Sequence, residues 1–484
     1  MIVHGHFYQP PRENPWTGEI DHQPTAAPFH DWNERVHAES YLPNAEAKIG
    51  SPRGERTVNN YERMSFDVGP TLLQWLEKAR PATYARIVEA DRESIGRLGR
   101  GNAIAQGFHH AILPLALPHD LRTEIRWGLA DFRHRFGRAA EGLWLPETAA
   151  NDAVLSALVE EGVAFTILAP WQAARWRAEG GNWVDVAHGG FDVRRAYRWV
   201  HPDGSGRSMA LFFYDGDIAK SIAFEQATSS AEKLVDLFAR RAGDNGLVVH
   251  AATDGETYGH HHTFGEIGLA YALFVEAERR GLQPTNYGVA LQHWQPRHEV
   301  KLAGGEGTSW SCAHGVGRWK EDCGCHTGGE EGWNQAWRAP LRRGLEVVKR
   351  AADETFERVG RELLTDPWAA RDDYVRVVIG ATGWAEFSAQ WSRAVNHEER
   401  ARARKLLELQ RTGLEMFTSC AWFFTDISGI ETVQILRYAM RAIELLEELG
   451  GPDPTDGLIA ELEQAKSNVP AFGTGADIFA SLPR

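Results

Sequence analysis

Cysteine is scarce in this chain: four residues in 484, at positions 312, 323, 325 and 420. That is too few for a disulfide framework at this length. Long apolar runs are missing as well. No stretch approaches the roughly 18 consecutive apolar residues of a membrane span, and Met1-Ile2-Val3-His4 opens no secretory leader. Positive charge is in deficit, with 52 Lys and Arg against 66 Asp and Glu, a formal net charge of −14. Nucleic acid and anionic membranes both reward basic surface, so neither is expected as a partner. A neutral substrate is compatible with this charge, and the expected location is cytoplasmic. Internal repeats and low-complexity tracts are also absent.

What the chain has in excess is tryptophan: eighteen, against five methionines. Flat aromatic faces fill cores, and they also stack on the apolar faces of sugar rings while the indole N–H donates. For most of the eighteen, core is the simpler reading.

Length suggests two or three domains. Through about residue 300, short β-rich runs alternate with helical patterns, which predicts an α/β fold with parallel strands. The candidate strands are Met1–His6, Asn102–Gly107, Gly142–Leu145, Ala164–Leu168, Ala210–Tyr214 and Leu247–Ala252. Helical patterns cover Pro70–Lys78, Leu121–Arg135 and Ala231–Arg241. Residues 296–343 are rich in Gly, Trp, His and Cys and show little periodicity. The last third reads as helical over Leu345–Leu364, Glu398–Phe417 and Thr432–Leu449, where Val433, Leu436, Met440 and Ile443 form one stripe. From about Ser467 the tail is expected to be irregular. The domains expected are a catalytic α/β domain over 1–295, an active-site loop region over 296–343 and a helical domain over 344–484.

Polar residues follow the strands in a recurring way. The first candidate strand leads into His4-Gly5-His6-Phe7-Tyr8-Gln9-Pro10, and the second into Gly107-Phe108-His109-His110. The third leads into Trp144-Leu145-Pro146-Glu147, and the last into Thr253-Asp254-Gly255-Glu256-Thr257-Tyr258-Gly259-His260. A parallel barrel builds an active site in this way, because strand ends far apart in sequence become neighbours around one mouth.

These segments resemble the motifs of glycoside hydrolase family 57. The first motif is matched by His4, His6, Gln9 and Pro10, with Phe7 and Tyr8 inserted. The second is matched by Gly107–Pro114, the third by Trp144–Glu147, the fourth by Asp254–Glu256 and the fifth by Gly305–Trp310. Ser419–Phe424 and Asp426–Glu431 resemble an uncharacterised helical domain of one subgroup. The resemblance implies an incomplete (β/α)7 TIM-like barrel followed by an α-helical C-terminal domain. It also implies α-glucan or maltooligosaccharide substrates and retention of anomeric configuration. Glu147 is then the nucleophile and Asp254 the general acid/base. Substrate contacts are expected from His4, His6, Gln9, His109, His110, Glu256, His260 and Asp426, with Trp144, Trp310, Trp319 and Trp422 as stacking platforms. Hydrolysis, 4-α-glucanotransfer and branching share the same two carboxylates, so the motifs do not choose among them.

Each assignment has a plainer alternative. Glu147 could cap a helix beginning at Thr148, Asp254 and Glu256 could be turn residues, and Trp422 could be core beside Phe423 and Phe424. His260-His261-His262 with His4 and His6 could bind a metal, but adjacent histidines point in different directions. Cys312, Cys323, Cys325 and His326 could bind zinc, but they lack a Cys-x-x-Cys knuckle, so plain loop thiols are expected. Neither metal nor cofactor is expected. Two rival functions are a metal-dependent polysaccharide deacetylase and a non-catalytic α-glucan-binding protein; the second needs a missing carboxylate, and both are present.

Overall fold

A computed structural model describes residues 1–51, 54–243 and 247–483. The chain forms two compact units. One comprises Met1–Gln9, His22–Gly107 and Phe132–Gly305; the other comprises Pro10–Asp21, Phe108–Asp131 and Glu306–Arg484.

Seven parallel strands organise the first unit: β1 (Ile2–Phe7), β2 (Ser65–Val68), β3 (Ala105–Gln106), β4 (Leu143–Trp144), β5 (Phe165–Leu168), β6 (Ser208–Phe213) and β7 (His250–Asp254). β1 lies between β7 and β2, with His6 opposite Asp254 on one side and Asp67 on the other. A parallel bridge from Phe66 to Ala103 carries the order on to β3, which pairs with β4. A second bridge, Gly142 to Phe165, carries it to β5, which pairs with β6. The spatial order is therefore 7-1-2-3-4-5-6, β1 through β6 each beside its sequence neighbour, as short crossover connections favour, with β7 placed beside β1. The far edge of β6 pairs antiparallel with Tyr197–Val200, which continues the sheet through Glu299–Leu302, Ala173–Arg177 and Val184–Asp185.

All six residues of β1 are buried, as expected for a parallel strand covered on both faces. The helices that return the chain follow ordinary start signals. Pro70–Ala79 and Pro81–Leu98 each begin with proline, whose missing N–H is no loss at that position. Ala231–Arg241 is capped by Ser230, whose hydroxyl accepts from the Lys233 N–H.

The second unit is helical. Arg338–Leu363 packs against His397–Glu415, Ile430–Leu449 and Thr455–Leu462. Gly344 allows one close approach, since a Cβ there would sit 3.0 Å from a Leu458 methyl. The tail departs from the expected irregular course. Gly475–Ala480 is a helix, closed at its start by reciprocal bonds between Thr474 and Asp477. Among the described residues, no helix is long and apolar enough to cross a membrane.

Candidate active site

β1 carries His4 and His6, two residues apart, so both side chains leave the same face of the strand. Asp67, opposite His6 on β2, joins them. His4 Nε2–H donates to Asp67 Oδ1 at 3.0 Å, and His6 Nδ1–H donates to Oδ2 at 2.8 Å. The His4 ring is completed by Ser65 Oγ, 3.1 Å from Nδ1. Trp144, at the end of β4, lies flat over both imidazoles, with ring centroids 4.9 Å from His4 and 5.1 Å from His6.

The two histidines share one carboxylate but differ in charge. Burial dominates at His4 and lowers its pKa despite Asp67, so it is the neutral member. Burial also works against a proton on His6, but Asp67, Asp254 and Glu256 outweigh it together and raise the pKa to about 9. His6 is thus a cation at neutral pH, facing the end of β7.

Three residues beyond Trp144 stands Glu147, in a buried turn, Pro146–Thr148. Its backbone is left-handed, φ 57° and ψ 20°, and Thr148 follows at φ 50°. Such conformations cost a non-glycine residue about 1–3 kcal/mol and persist only where the surroundings impose them. Here Gln172, in the turn after β5, braces Thr148. Its Oε1 accepts from the Thr148 hydroxyl at 2.9 Å, and its Nε2–H donates to the Thr148 carbonyl at 2.8 Å.

Asp254 ends β7. Water reaches its side chain, yet protein surrounds the carboxyl on its other sides. Burial and the Asp67 charge raise its pKa, with the His6 cation opposing them. Glu256, two residues on, is buried and accepts from Tyr41 Oη–H at 2.6 Å and from the Tyr8 N–H at 3.0 Å. Burial, helped by Asp254, pushes it up to about 7 against those donors. Gln9 donates to Tyr41 Oη at 3.0 Å. Tyr214, after β6, has its phenol raised by burial and by the nearby Asp254 charge.

The structure revises several of the expected substrate contacts. His4 is fully buried with both ring nitrogens used inside the protein, so it supports His6 rather than touching sugar. Trp144, Trp319 and Trp422 are fully buried and offer no open face for stacking. Trp422 stacks on Phe417 and donates its indole N–H to the Arg338 carbonyl at 3.2 Å, as a core residue does. Asp426 spends its carboxylate on Ser428, Ser467 and the Asn468 N–H, fixing the C-terminal tail.

The remaining expected contacts fall in both units. His260, in the first unit, is held by Glu39. In the second, His109 Nδ1–H donates to Glu124 at 2.7 Å while its Nε2 has no partner among the described residues, His110 pairs with Ser419 at 2.6 Å, and Trp310 is half-buried. Of the cysteine-loop residues, His326 is turned to the Gly328 carbonyl, and His314 stands beside the thiols instead.

Sequence reading overlooked Asp67, Tyr41, Tyr214 and Gln172. Only Asp67 carries a readable signal, an acid inside the apolar run Ser65-Phe66-Asp67-Val68. The others act through tertiary placement alone.

Comparison with known proteins matches two family models to the chain. The model of glycosyl hydrolase family 57 matches residues 3–302, and that of a domain of unknown function, DUF3536, matches 333–483. An alpha-amylase of Pyrococcus horikoshii is 24% identical over 251 residues, covering 51% of this chain and 34% of the relative. A 1,4-alpha-glucan branching enzyme of Thermococcus kodakarensis is 26% identical over 339 residues, covering 55% and 49%. The chain thus spans from a third to a half of the length of these curated relatives. Among solved structures, an exo-type maltose-forming amylase from a Pyrococcus species superposes with TM-score 0.70 at 15% identity, covering 95% of this chain and 82% of the other. A 4-alpha-glucanotransferase from Thermococcus litoralis gives TM-score 0.53 at 16% identity, covering 91% and 59%. The family model spans 300 of the chain's 484 residues: the chain belongs to glycosyl hydrolase family 57.

Proposed function

We propose that this chain is a retaining enzyme acting on α-1,4-glucans, with Glu147 as nucleophile and Asp254 as general acid/base. The seven parallel strands are then the incomplete (β/α)7 barrel that gathers these side chains at one mouth. The observation that carries the reading is the forced left-handed backbone at Glu147, on a strand end whose Trp144 stacks on His6, the cross-strand partner of Asp254. Backbone strain held in place by neighbours marks positions where geometry serves chemistry.

In this reading Glu147 attacks the anomeric carbon while Asp254, its proton retained by burial, protonates the departing glycosidic oxygen. The glycosyl group rests on Glu147. Asp254, now a carboxylate, takes the proton of an incoming water or sugar hydroxyl, and the new bond releases Glu147. The His6 cation stabilises the Asp254 carboxylate formed halfway. The activities of the amylase, glucanotransferase and branching relatives support an α-glucan as substrate.

Trapping tests the assignment. Asp254→Asn should lower turnover of maltooligosaccharides about 100- to 10,000-fold. It should still react with α-maltosyl fluoride, whose leaving group needs no acid, and accumulate a maltosyl adduct on the peptide bearing Glu147. An adduct on another residue, or turnover surviving in Glu147→Gln, refutes the roles. Products from maltoheptaose and amylose separate shortening, disproportionation and branching.

A further inference from the structure

Between Glu299–Leu302 and the helix Arg338–Leu363 the chain runs through 35 residues with a single regular turn, Gly317–Trp319. A loop of that length inside a compact unit needs something to hold it. Four of its side chains converge: the sulfurs of Cys312, Cys323 and Cys325 and a ring nitrogen of His314 all lie within 4.8 Å of one another. We propose that these four residues form a closed tetrahedral zinc site that pins this segment of the second unit.

The distances fit that geometry. With Zn–S near 2.3 Å and Zn–N near 2.0–2.1 Å, a tetrahedron has edges of about 3.8 Å between sulfurs and about 3.6 Å between sulfur and nitrogen. Cys312 and Cys323 sulfurs are 3.9 Å apart, and Cys325 Sγ lies 3.5 Å from His314 Nδ1. A disulfide would need about 2.0 Å, and all three thiols are free.

The backbone is shaped to the same end. Cys323-Gly324-Cys325 turns through Gly324 at φ 82°, and Cys312-Ala313-His314 is followed by Gly315 at φ 75°. Each turn presents two ligands from residues i and i+2.

Charge supplies an independent argument. Arg318 and Arg338 are buried beside the cluster, and among the described residues neither has a carboxylate within ion-pair reach. Among the described residues, Nε and Nη1 of Arg318 and Nε of Arg338 have no hydrogen-bond partner. Buried guanidinium groups without a counter-charge are costly. Three thiolates and one Zn²⁺ sum to −1, which offsets one of the two guanidinium charges. All four positions are filled by protein, so the role is structural, and no open position is left for substrate.

The second convergent group, His119, Asp120 and Asp353, differs. Its carboxylates already face Lys349 and Arg371 at 2.5–3.1 Å, so it serves as the control.

The test uses the full chain, purified without metal-affinity resin. Elemental analysis should find about one zinc per chain, released to a colorimetric indicator by a mercurial that attacks thiolates. Cys325→Ser and His314→Asn should each reduce the zinc to under about a fifth of that, and His119→Asn should leave it unchanged. Should the serine variant not fold, wild type grown on cobalt should show thiolate-to-cobalt absorption and the intense visible bands of tetrahedral cobalt. Zinc-free folded protein whose cysteines all react freely with Ellman's reagent would overturn the proposal. So would zinc retained in both ligand variants, or iron in its place.

Discussion

Both units bury clusters of charge, and the clusters are built on opposite plans. In the second unit Asp120 meets Arg371 at 2.6 Å and Lys349 at 3.1 Å, and Asp353 meets Lys349 and Gln410. Arg371 is further satisfied by Gln410, Thr123 and the His119 carbonyl. Burial alone would raise Asp353, but its donors hold it well below the usual carboxylate range. In the first unit the carboxylates outnumber the cations. Asp67, Asp254 and Glu256 share one protonated His6, and Asp254 and Glu256 are both raised. A cross-paired cluster holds its ions in one state and stabilises the fold. An under-paired one keeps a proton available near neutral pH, which is what acid–base chemistry requires.

The largest effect on stability is expected from the paired cluster. Asp120→Ala leaves Arg371 and Lys349 buried with too little negative charge and should cost about 3 kcal/mol or more. Denaturant unfolding read by a probe in the helical unit measures this. A loss within a few tenths of a kcal/mol would mean that the network contributes no more than an exposed ion pair.

How much of this was legible in the sequence depends on the element. β1, β5 and β6 lie within two residues of their expected bounds, and Ala231–Arg241 matches its expected span, because apolar runs and amphipathic period carry those signals. β2 escaped notice because Ser65 and Asp67 interrupt a four-residue strand; β3 and β4 lie inside the expected Asn102–Gly107 and Gly142–Leu145 but are only two residues long. The candidate strand Leu247–Ala252 is displaced to His250–Asp254, since the register beside β1 and not hydrophobicity sets its end. The expected site residues near His6 are within strands or their first turns, where local pattern marks them. Gln172 and Tyr41 have no such mark: each acts on a residue more than twenty positions away. Nor could spacing choose His314 over His326, because the turn at Gly315 decides which ring faces the thiols.

A smaller effect, of opposite sign, is expected in the under-paired cluster. Glu256 has a folded pKa of about 7 against an ordinary 4.5. The folded state therefore holds this proton more tightly than the unfolded chain. The stability this gives is fully present below pH 4.5 and is lost as pH rises to 7, after which the charged form is a constant burden. Glu256→Gln keeps an acceptor for Tyr41 and removes the charge. Its melting temperature should equal that of the wild type at pH 4 and exceed it at pH 8, by the equivalent of about 2 kcal/mol. A variant less stable at pH 8 would place Glu256 with the paired carboxylates and erase the contrast.

The subtlest expected effect concerns His6, the one cation the three carboxylates share. Its charge lowers the pKa of Asp254, against burial and Asp67, which raise it. His6→Gln can still donate to Asp67 but brings no charge. Asp254 should then hold its proton to higher pH, and the alkaline limb of kcat/KM should move upward. In the wild type the cation persists until about pH 9. A role for His6 in packing alone would lower the rate at every pH and leave the limb in place. A downward move would mean that the proton-holding group is not Asp254, and the division between paired and under-paired carboxylates would have to be redrawn around another acid.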